Sequence, residues 1–111
     1  LLYRLVFNLV ENAIRYSRPG STVNVSICDN DSHVFLRVED QGPGIPKQYR
    51  ESIFQPFFRL DKSRSRAYGG AGLGLALVWE IAALHGGTVE VEASSENGAT
   101  MLTTLPKRTA A

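Results

Sequence analysis

The sequence has few of the residues that build disulfides and zinc sites, and it lacks the long apolar run of a membrane span. It has a single cysteine, Cys28, which excludes an internal disulfide and is typical of a reducing compartment. Its only two histidines, His33 and His85, are far apart along the chain, which argues against a zinc site. No apolar run approaches the roughly 20 residues of a membrane-spanning helix. No signal-peptide pattern is present either.

An excess of charge of either sign is also lacking. Twelve Lys and Arg residues stand against eleven Asp and Glu residues, so the formal net charge is +1. This balance gives no indication of nucleic acid or of an anionic membrane surface, and we expect neither as a partner. The composition is that of a globular domain, with 43% hydrophobic residues in a chain of 111. Because the chain opens inside a helical pattern, we interpret it as a piece of a longer protein.

Hydrophobic periodicity predicts helices that alternate with strand hairpins. The predicted helices cover residues 1–16, 46–54 and 75–85, and the predicted strands cover residues 22–28, 33–39, 88–93 and 100–105. In the first strand, alternation places Val23, Val25 and Ile27 on one face. This order predicts an α/β (α+β) fold, a two-layer sandwich with a mixed, mostly antiparallel sheet and helices on one face.

The first helix has a polar face that is predicted to lie opposite its apolar stripe. The stripe contains Leu2, Leu5, Val6, Leu9, Val10, Ala13 and Ile14, and the polar face contains Asn8, Asn12, Arg15 and Tyr16. An asparagine carbonyl oxygen suits Mg²⁺ that also takes phosphate oxygens. Arg15 can pair with phosphate, and Tyr16 can offer its ring to a base. An ordinary solvated helix face is the alternative, although asparagine is a poor helix former.

Asp40 ends the second predicted strand and is followed by Gly42 and Gly44, which permit a tight turn. A buried aspartate at this place could accept a hydrogen bond from an exocyclic amine such as that of adenine. Guanine lacks that donor and would leave the carboxylate unpaired, which is costly. An ordinary strand-ending turn uses the same residue types and stays an alternative.

Three glycines, Gly70, Gly72 and Gly74, occupy alternate positions just before the second main helix. A helix that starts after such a run directs free N–H groups and the positive end of its dipole at whatever lies there, which suits phosphate. A flexible loop before an ordinary helix gives the same pattern, so the run alone is weak evidence.

Residues 61–70 are polar and basic, and we predict that they form a mobile loop. The cations Arg59, Lys62, Arg64 and Arg66 precede the glycine run. They suit either a solvated loop or a lid that closes over a triphosphate. Phe54, Phe57 and Phe58 lie just before this loop, and we expect most of them to fill the core.

In this order, the patterns resemble the N, G1, F and G2 boxes of the catalytic ATP-binding domain of sensor histidine kinases. The matching runs are residues 8–16, 40–44, 54–58 and 70–75, and residues 97–100 resemble the G3 element. The resemblance covers residues 1–106, which we take as the domain, with residues 107–111 as a tail. It implies the Bergerat ATP-binding fold of gyrase, mismatch-repair and chaperone ATPases, with ATP and Mg²⁺ as cofactors. It also implies a cytoplasmic domain of a membrane-anchored bacterial sensor protein.

The resemblance also implies roles for single residues. Asn12 would hold Mg²⁺, with Asn8 supporting the metal or phosphate side. Asp40 would bind the adenine amino group. Arg15 would face phosphate, and Tyr16 would pack beside the adenine. The remaining residues implied to bind the nucleotide are Gly42, Gly44, Ile45, Lys62, Arg64, Gly70, Gly72, Leu73, Gly74, Leu75 and Thr100. The residues implied to act on the γ-phosphoryl group are Asn8, Arg15 and Arg59.

Position 8 favours phosphoryl transfer over hydrolysis. Gyrase-like ATPases place a glutamate one helical turn before the metal-binding asparagine, where it acts as the general base. Asn8 occupies that position and cannot take a proton at neutral pH. Glu11 directly precedes Asn12, so its side chain points about 100° away from that of Asn12.

We therefore expect the γ-phosphoryl group to pass to a histidine on a separate phosphoacceptor hairpin domain, with a response regulator downstream. Neither His33 nor His85 lies in the setting of such an acceptor. A gyrase-like ATPase and a nucleotide-free scaffold of the same fold are the alternatives.

Overall fold

The computed structural model describes residues 1–58 and 73–107. The helices are α1 (Leu2–Tyr16) and α2 (Gly74–Leu84), and the strands are β1 (Asn24–Asp29), β2 (His33–Glu39), β3 (Thr88–Ser95) and β4 (Gly98–Pro106). Two 3-10 turns, Lys47–Tyr49 and Ser52–Phe54, lie between β2 and α2. The predicted loop at 61–70 lies outside the described residues. The predicted fold class is confirmed, because the helices pack on one face of a sheet.

The four strands form one sheet in the order β1-β2-β4-β3. All three described strand pairs are antiparallel, so this part of the chain contains no parallel pair of the predicted mixed sheet. The reason is that two hairpins lie side by side and join through β2 and β4. The register places Glu39 opposite Thr100. The end of β2 therefore lies beside the start of β4, which positions Asp40 next to Ala99.

One hydrophobic core lies between the sheet and the two helices. Its fully buried side chains include Leu5, Leu9, Val38, Val78, Ile81 and Val89. Burying a side chain of this size contributes roughly 1.5–3 kcal/mol. The core therefore fixes α1 and α2 against each other and against β2, and these elements surround the candidate site.

The buried stripe of α1 is narrower than the periodicity predicts. Leu5, Leu9 and Ala13 are buried, whereas Leu2 and Ile14 are exposed. The sheet and α2 cover only one flank of the predicted stripe. The prediction that the polar face lies opposite the buried residues is therefore wrong. The face borders them instead, and all four of its residues are half-buried.

Residues 46–54 form two 3-10 turns and not the short α-helix that we predicted. A segment this short forms too few α-helical hydrogen bonds to offset the cost of nucleating an α-helix, and 3-10 geometry is common in short connectors. The second turn buries Ile53 and Phe54. The ring of Phe54 lies 5.4 Å from that of Trp79, which anchors this turn on α2.

Two glycines, Gly86 and Gly87, end α2. The Gly87 N–H donates to the Ala82 carbonyl at 2.8 Å, and the Gly86 N–H donates to the Ala83 carbonyl at 3.0 Å. Gly86 has φ +75, the left-handed conformation that closes a helix in this Schellman arrangement. The chain then turns directly into β3.

Candidate functional site

The Asp40 carboxylate is held in a cradle between β2, β4 and the following loop. Only 9% of Asp40 is exposed. Its Oδ1 accepts hydrogen bonds from the N–H groups of Gly42 at 3.0 Å and Ala99 at 3.1 Å. The Asp40 N–H donates to the Ala99 carbonyl at 2.9 Å. Within residues 1–58 and 73–107, no hydrogen bond reaches Oδ2, so this oxygen is available to a ligand donor.

The loop around Asp40 packs backbone against backbone at its glycines. A Cβ on Gly42 would overlap the carbonyl oxygen of Tyr16 at the end of α1. A Cβ on Gly44, which has φ +79, would overlap the carbonyl oxygen of Ser95. Both positions require glycine because a side chain has no room there. The loop is thereby wedged between α1 and the β3–β4 hairpin.

Two serines that the sequence analysis missed also hold this loop. The Ser17 hydroxyl oxygen accepts the Gln41 N–H at 3.2 Å. The Ser94 hydroxyl oxygen accepts the Ile45 N–H at 2.7 Å. Ile45, which we predicted at the nucleotide pocket, is half-buried and packs against the core. Serine residues are common in turns and strand ends, so no local signal marked these two.

Arg18 was missed as well, although it links three parts of the site. Its guanidinium donates to the carbonyl oxygens of Gln41 and Glu96, each at 3.0 Å. Gln41 directly follows Asp40, and Glu96 lies in the β3–β4 turn. These contacts join residues 23 and 78 positions apart, so no spacing in the sequence indicates them.

The start of α2 lies against the middle of α1. The Asn8 Nδ2 donates to the Arg4 carbonyl at 2.7 Å, and Asn8 Oδ1 lies 3.3 Å from where a Cβ on Gly74 would be. Among the described residues, no side chain caps the first turn of α2, which follows the exposed Leu73. The N–H groups of Gly74, Leu75 and Ala76 thus have no partner within the helix. Together with the helix dipole they form an anion-binding geometry.

Asn12 lies between the two ends of the site. An α-helix rises about 6 Å over four residues, which is roughly one turn, so Asn12 is about one turn from Asn8 and about one turn from Tyr16. Asn12 is half-buried, and its side chain makes no hydrogen bond to another residue in the described ranges. Arg15 pairs with Glu11 at 3.5 Å along the same helix. The free carboxamide of Asn12 fits an Mg²⁺ site completed by phosphate oxygens.

Several predicted residues are not brought into these groups by the described structure. Thr100 lies opposite Glu39 in the register and therefore shares its face of the sheet, whereas Ala99 shares the face of Asp40. Leu75 is half-buried against the core. The predicted residues outside the described ranges are Arg59, Lys62, Arg64, Gly70 and Gly72. The roles assigned to all of these residues stay predictions.

A cavity of about 1200 Å³ opens beside Asn8 and Gly74. It runs along α2 as far as Glu80 and reaches the edge strand β3 at Val91. Of the predicted site residues in the described ranges, only Asn8, Leu73 and Gly74 line it. Asp40 and its loop lie outside its lining. The cavity therefore borders the α2 end of the site and is distinct from the Asp40 cradle.

Two kinds of feature are absent from residues 1–58 and 73–107. No group of three or more His, Cys, Asp and Glu residues is placed there to hold a metal ion. No helix among these residues is long and apolar enough to cross a membrane.

Comparisons with known proteins place this arrangement in a family. Residues 1–109 match the histidine kinase-, DNA gyrase B- and HSP90-like ATPases. The sensor protein RstB of Escherichia coli (strain K12) is 50% identical over 99 residues, which cover 89% of this chain and 22% of RstB. The solved mycobacterial sensor histidine kinase MprB has a TM-score of 0.82 and 38% identity, over 98% of this chain and 72% of that chain.

Full-length ShkA, solved in complex with AMPPNP, has a TM-score of 0.81 and 32% identity. The match covers 99% of this chain and 22% of the ShkA chain. The chain spans about a quarter of the length of the curated relatives that it matches. From its fold and these matches, the chain belongs to the family of histidine kinase-, DNA gyrase B- and HSP90-like ATPases, as a catalytic domain of the sensor histidine kinase type.

Proposed function

We propose that this domain binds Mg²⁺-ATP and donates the γ-phosphoryl group to a histidine on a separate phosphoacceptor domain of a sensor kinase. The observation that carries the proposal is the Asp40 cradle. Its buried carboxylate has one oxygen fixed by two N–H donors and the other available to a ligand donor. An acceptor held in this way suits the exocyclic amine of adenine. The AMPPNP complex of the relative ShkA supports the choice of an adenine nucleotide.

At the other end of the site, the chain offers groups suited to the phosphates. The first turn of α2, which no side chain of the described residues caps, directs N–H groups toward this region, and Asn8 lies against Gly74. Asn12 would hold Mg²⁺ through its carboxamide oxygen. Bound Mg²⁺ would neutralise charge on the phosphates. Arg15 is one turn from Glu11 and would exchange that partner for phosphate.

The residues around the phosphate end favour transfer over hydrolysis. Asn8 cannot accept a proton, and its Nδ2 is already committed to the Arg4 carbonyl. Activation of water by this residue is therefore excluded. An imidazole is itself nucleophilic, so transfer to it mainly needs positioning and charge neutralisation.

The two histidines of this chain have local partners of their own. The Nδ1 of His33 is 2.7 Å from the Ser32 hydroxyl oxygen, and the Nδ1 of His85 is 2.9 Å from the Ile81 carbonyl oxygen. Neither belongs to the Asp40 cradle or to the α2 end of the site. The acceptor histidine would therefore come from another domain, with a response regulator as the next acceptor. The sensor would hold this domain on the cytoplasmic side of the membrane.

The test is to incubate the domain with Mg²⁺ and γ-labelled ATP, with and without a histidine-bearing hairpin domain from a sensor kinase. We expect label on the hairpin domain only, and none when its histidine is replaced by glutamine. The Asn12→Ala variant of this chain should transfer at least about 10-fold more slowly. Steady phosphate release by the domain alone would overturn the proposal and indicate a gyrase-like ATPase.

A further inference from the structure

Arg18 bridges two of the backbone segments beside the Asp40 cradle. It lies two residues beyond the end of α1, and its side chain is exposed. Its two terminal nitrogens reach different acceptors, with Nη1 3.0 Å from the Gln41 carbonyl oxygen and Nη2 3.0 Å from the Glu96 carbonyl oxygen. None of the sequence runs that resemble the boxes of sensor histidine kinases includes Arg18.

The two acceptors of Arg18 lie on opposite sides of the cradle. Gln41 belongs to the loop that presents Asp40, and Glu96 belongs to the turn that leads to Gly98 and Ala99. Gly98 packs so closely that a Cβ there would overlap the Asp40 carbonyl oxygen. The spacing between loop and turn therefore decides where the Asp40 carboxylate lies. The Arg18 backbone N–H also donates to the Gln41 carbonyl oxygen at 3.4 Å, so this contact to the loop does not depend on the side chain. The planar guanidinium fork adds the link to Glu96 and holds both carbonyl groups at once.

We infer that Arg18 is a positioning residue for adenine recognition: by bridging the Gln41 and Glu96 carbonyl groups, it sets the Asp40 cradle to the width that adenine needs. The inference rests on the proposed function, because it assumes that the cradle receives adenine. Arg18 itself does not touch the ligand. Its loss should weaken the part of binding that depends on the base and leave the part that depends on phosphate.

The test compares Mg²⁺-ATP with Mg²⁺-tripolyphosphate, which lacks the base, by isothermal titration calorimetry. Arg18→Ala should weaken ATP binding about 5- to 10-fold and change tripolyphosphate binding less than about 2-fold. Arg18→Lys should lie between wild type and Arg18→Ala, because one ammonium group replaces the two-pronged fork. Arg37→Ala is the matched control, since it removes the same charge from the opposite face of the sheet.

Each outcome separates this inference from the proposed function. Unchanged ATP affinity in Arg18→Ala, or an equal loss for both ligands, overturns the positioning role. If Asp40→Asn still weakens ATP binding about 100-fold in that case, the proposed function stands. If wild type binds no ATP, both fall. Thermal unfolding of each variant checks that it is folded. If Arg18→Ala does not fold, the two ligands are compared with Arg18→Lys instead.

Discussion

The two ends of the candidate site are built in different ways. At the Asp40 end, hydrogen bonds and glycine backbone contacts join the loop to α1 and to the β3–β4 hairpin. At the α2 end, the first turn has no side-chain cap among the described residues, and the carboxamide of Asn12 has no hydrogen bond there. The Asp40 end is thus shaped by contacts within the fold. The polar groups of the α2 end lack such side-chain partners within residues 1–58 and 73–107.

The largest expected effect is on the stability of the Asp40 end. Gly44→Ala should lower the free energy of unfolding by about 3 kcal/mol or more, because the added Cβ meets the Ser95 carbonyl and φ is +79. Gly20→Ala is a matched control with the same φ of +79 and nothing within 4 Å of the added Cβ. It should cost only about 1 kcal/mol. Equal costs in urea unfolding would show that the Asp40 loop is not wedged.

The second prediction keeps the backbone of the Asp40 end and changes the hydrogen bonding of its carboxylate. Asp40→Asn should weaken ATP binding about 100-fold, because an amide nitrogen can replace the oxygen that accepts from adenine. Oδ1 can still accept from Gly42 and Ala99, so stability should fall by less than about 1 kcal/mol. Calorimetric titration checks this, with Asp31→Asn in the exposed hairpin turn as the control. A loss of ATP affinity under about 3-fold would contradict the proposed binding of adenine at the Asp40 end.

The third prediction concerns Asn12, the proposed Mg²⁺ ligand. Asn12→Ala should weaken Mg²⁺-ATP binding about 10-fold and change metal-free ATP binding by less than about 2-fold. The unfolding free energy should stay within about 0.5 kcal/mol, because the side chain contributes no hydrogen bond within the described residues. Titrations with and without Mg²⁺ measure the difference, and Asn24→Ala on β1 is the control. An equal loss under both conditions would remove Asn12 from the metal site.

The smallest effect is expected outside both ends. On the outer face of the sheet, the hydrogen bond from Arg37 lowers the pKa of Glu92, and the desolvation of Glu92 partly opposes this. A lowered pKa means that the stabilisation is present above the ordinary carboxyl pKa and is lost as pH falls through the lowered value. Glu92→Gln should therefore reduce Tm slightly near about pH 7, and the reduction should shrink as pH falls below the ordinary carboxyl pKa. ATP affinity should not change, and a Tm difference independent of pH would contradict the ion pair.

The sequence predicts an element well where pattern and packing agree. β2 begins at His33 and ends at Glu39, as the alternation predicts. β1 alternates in the same way, yet Val25 is 47% and Ile27 is 69% exposed. Alternation determines which residues share a face, and it contains no information on whether another element covers that face. The stripe of α1 is too broad in the prediction for the same reason.

The site divides in the same way. Asp40 and its glycines could be predicted because a strand end followed by Asp-x-Gly-x-Gly is a local pattern, and the structure places these residues together. Arg18 and Ser94 could not be predicted. Their partners are backbone groups far away in the sequence, and a backbone group has no residue type that could mark it.

The fluorescence of Trp79 can be used to follow changes in this domain. Trp79 is the only tryptophan in the chain, it is 49% exposed, and its ring lies 5.4 Å from that of Phe54. Indole emission shifts with polarity, so any change in this aromatic pair alters the fluorescence of the unlabelled protein. A ligand that binds beside Asn8 and Gly74, in the cavity that Trp79 also lines, would therefore change this fluorescence.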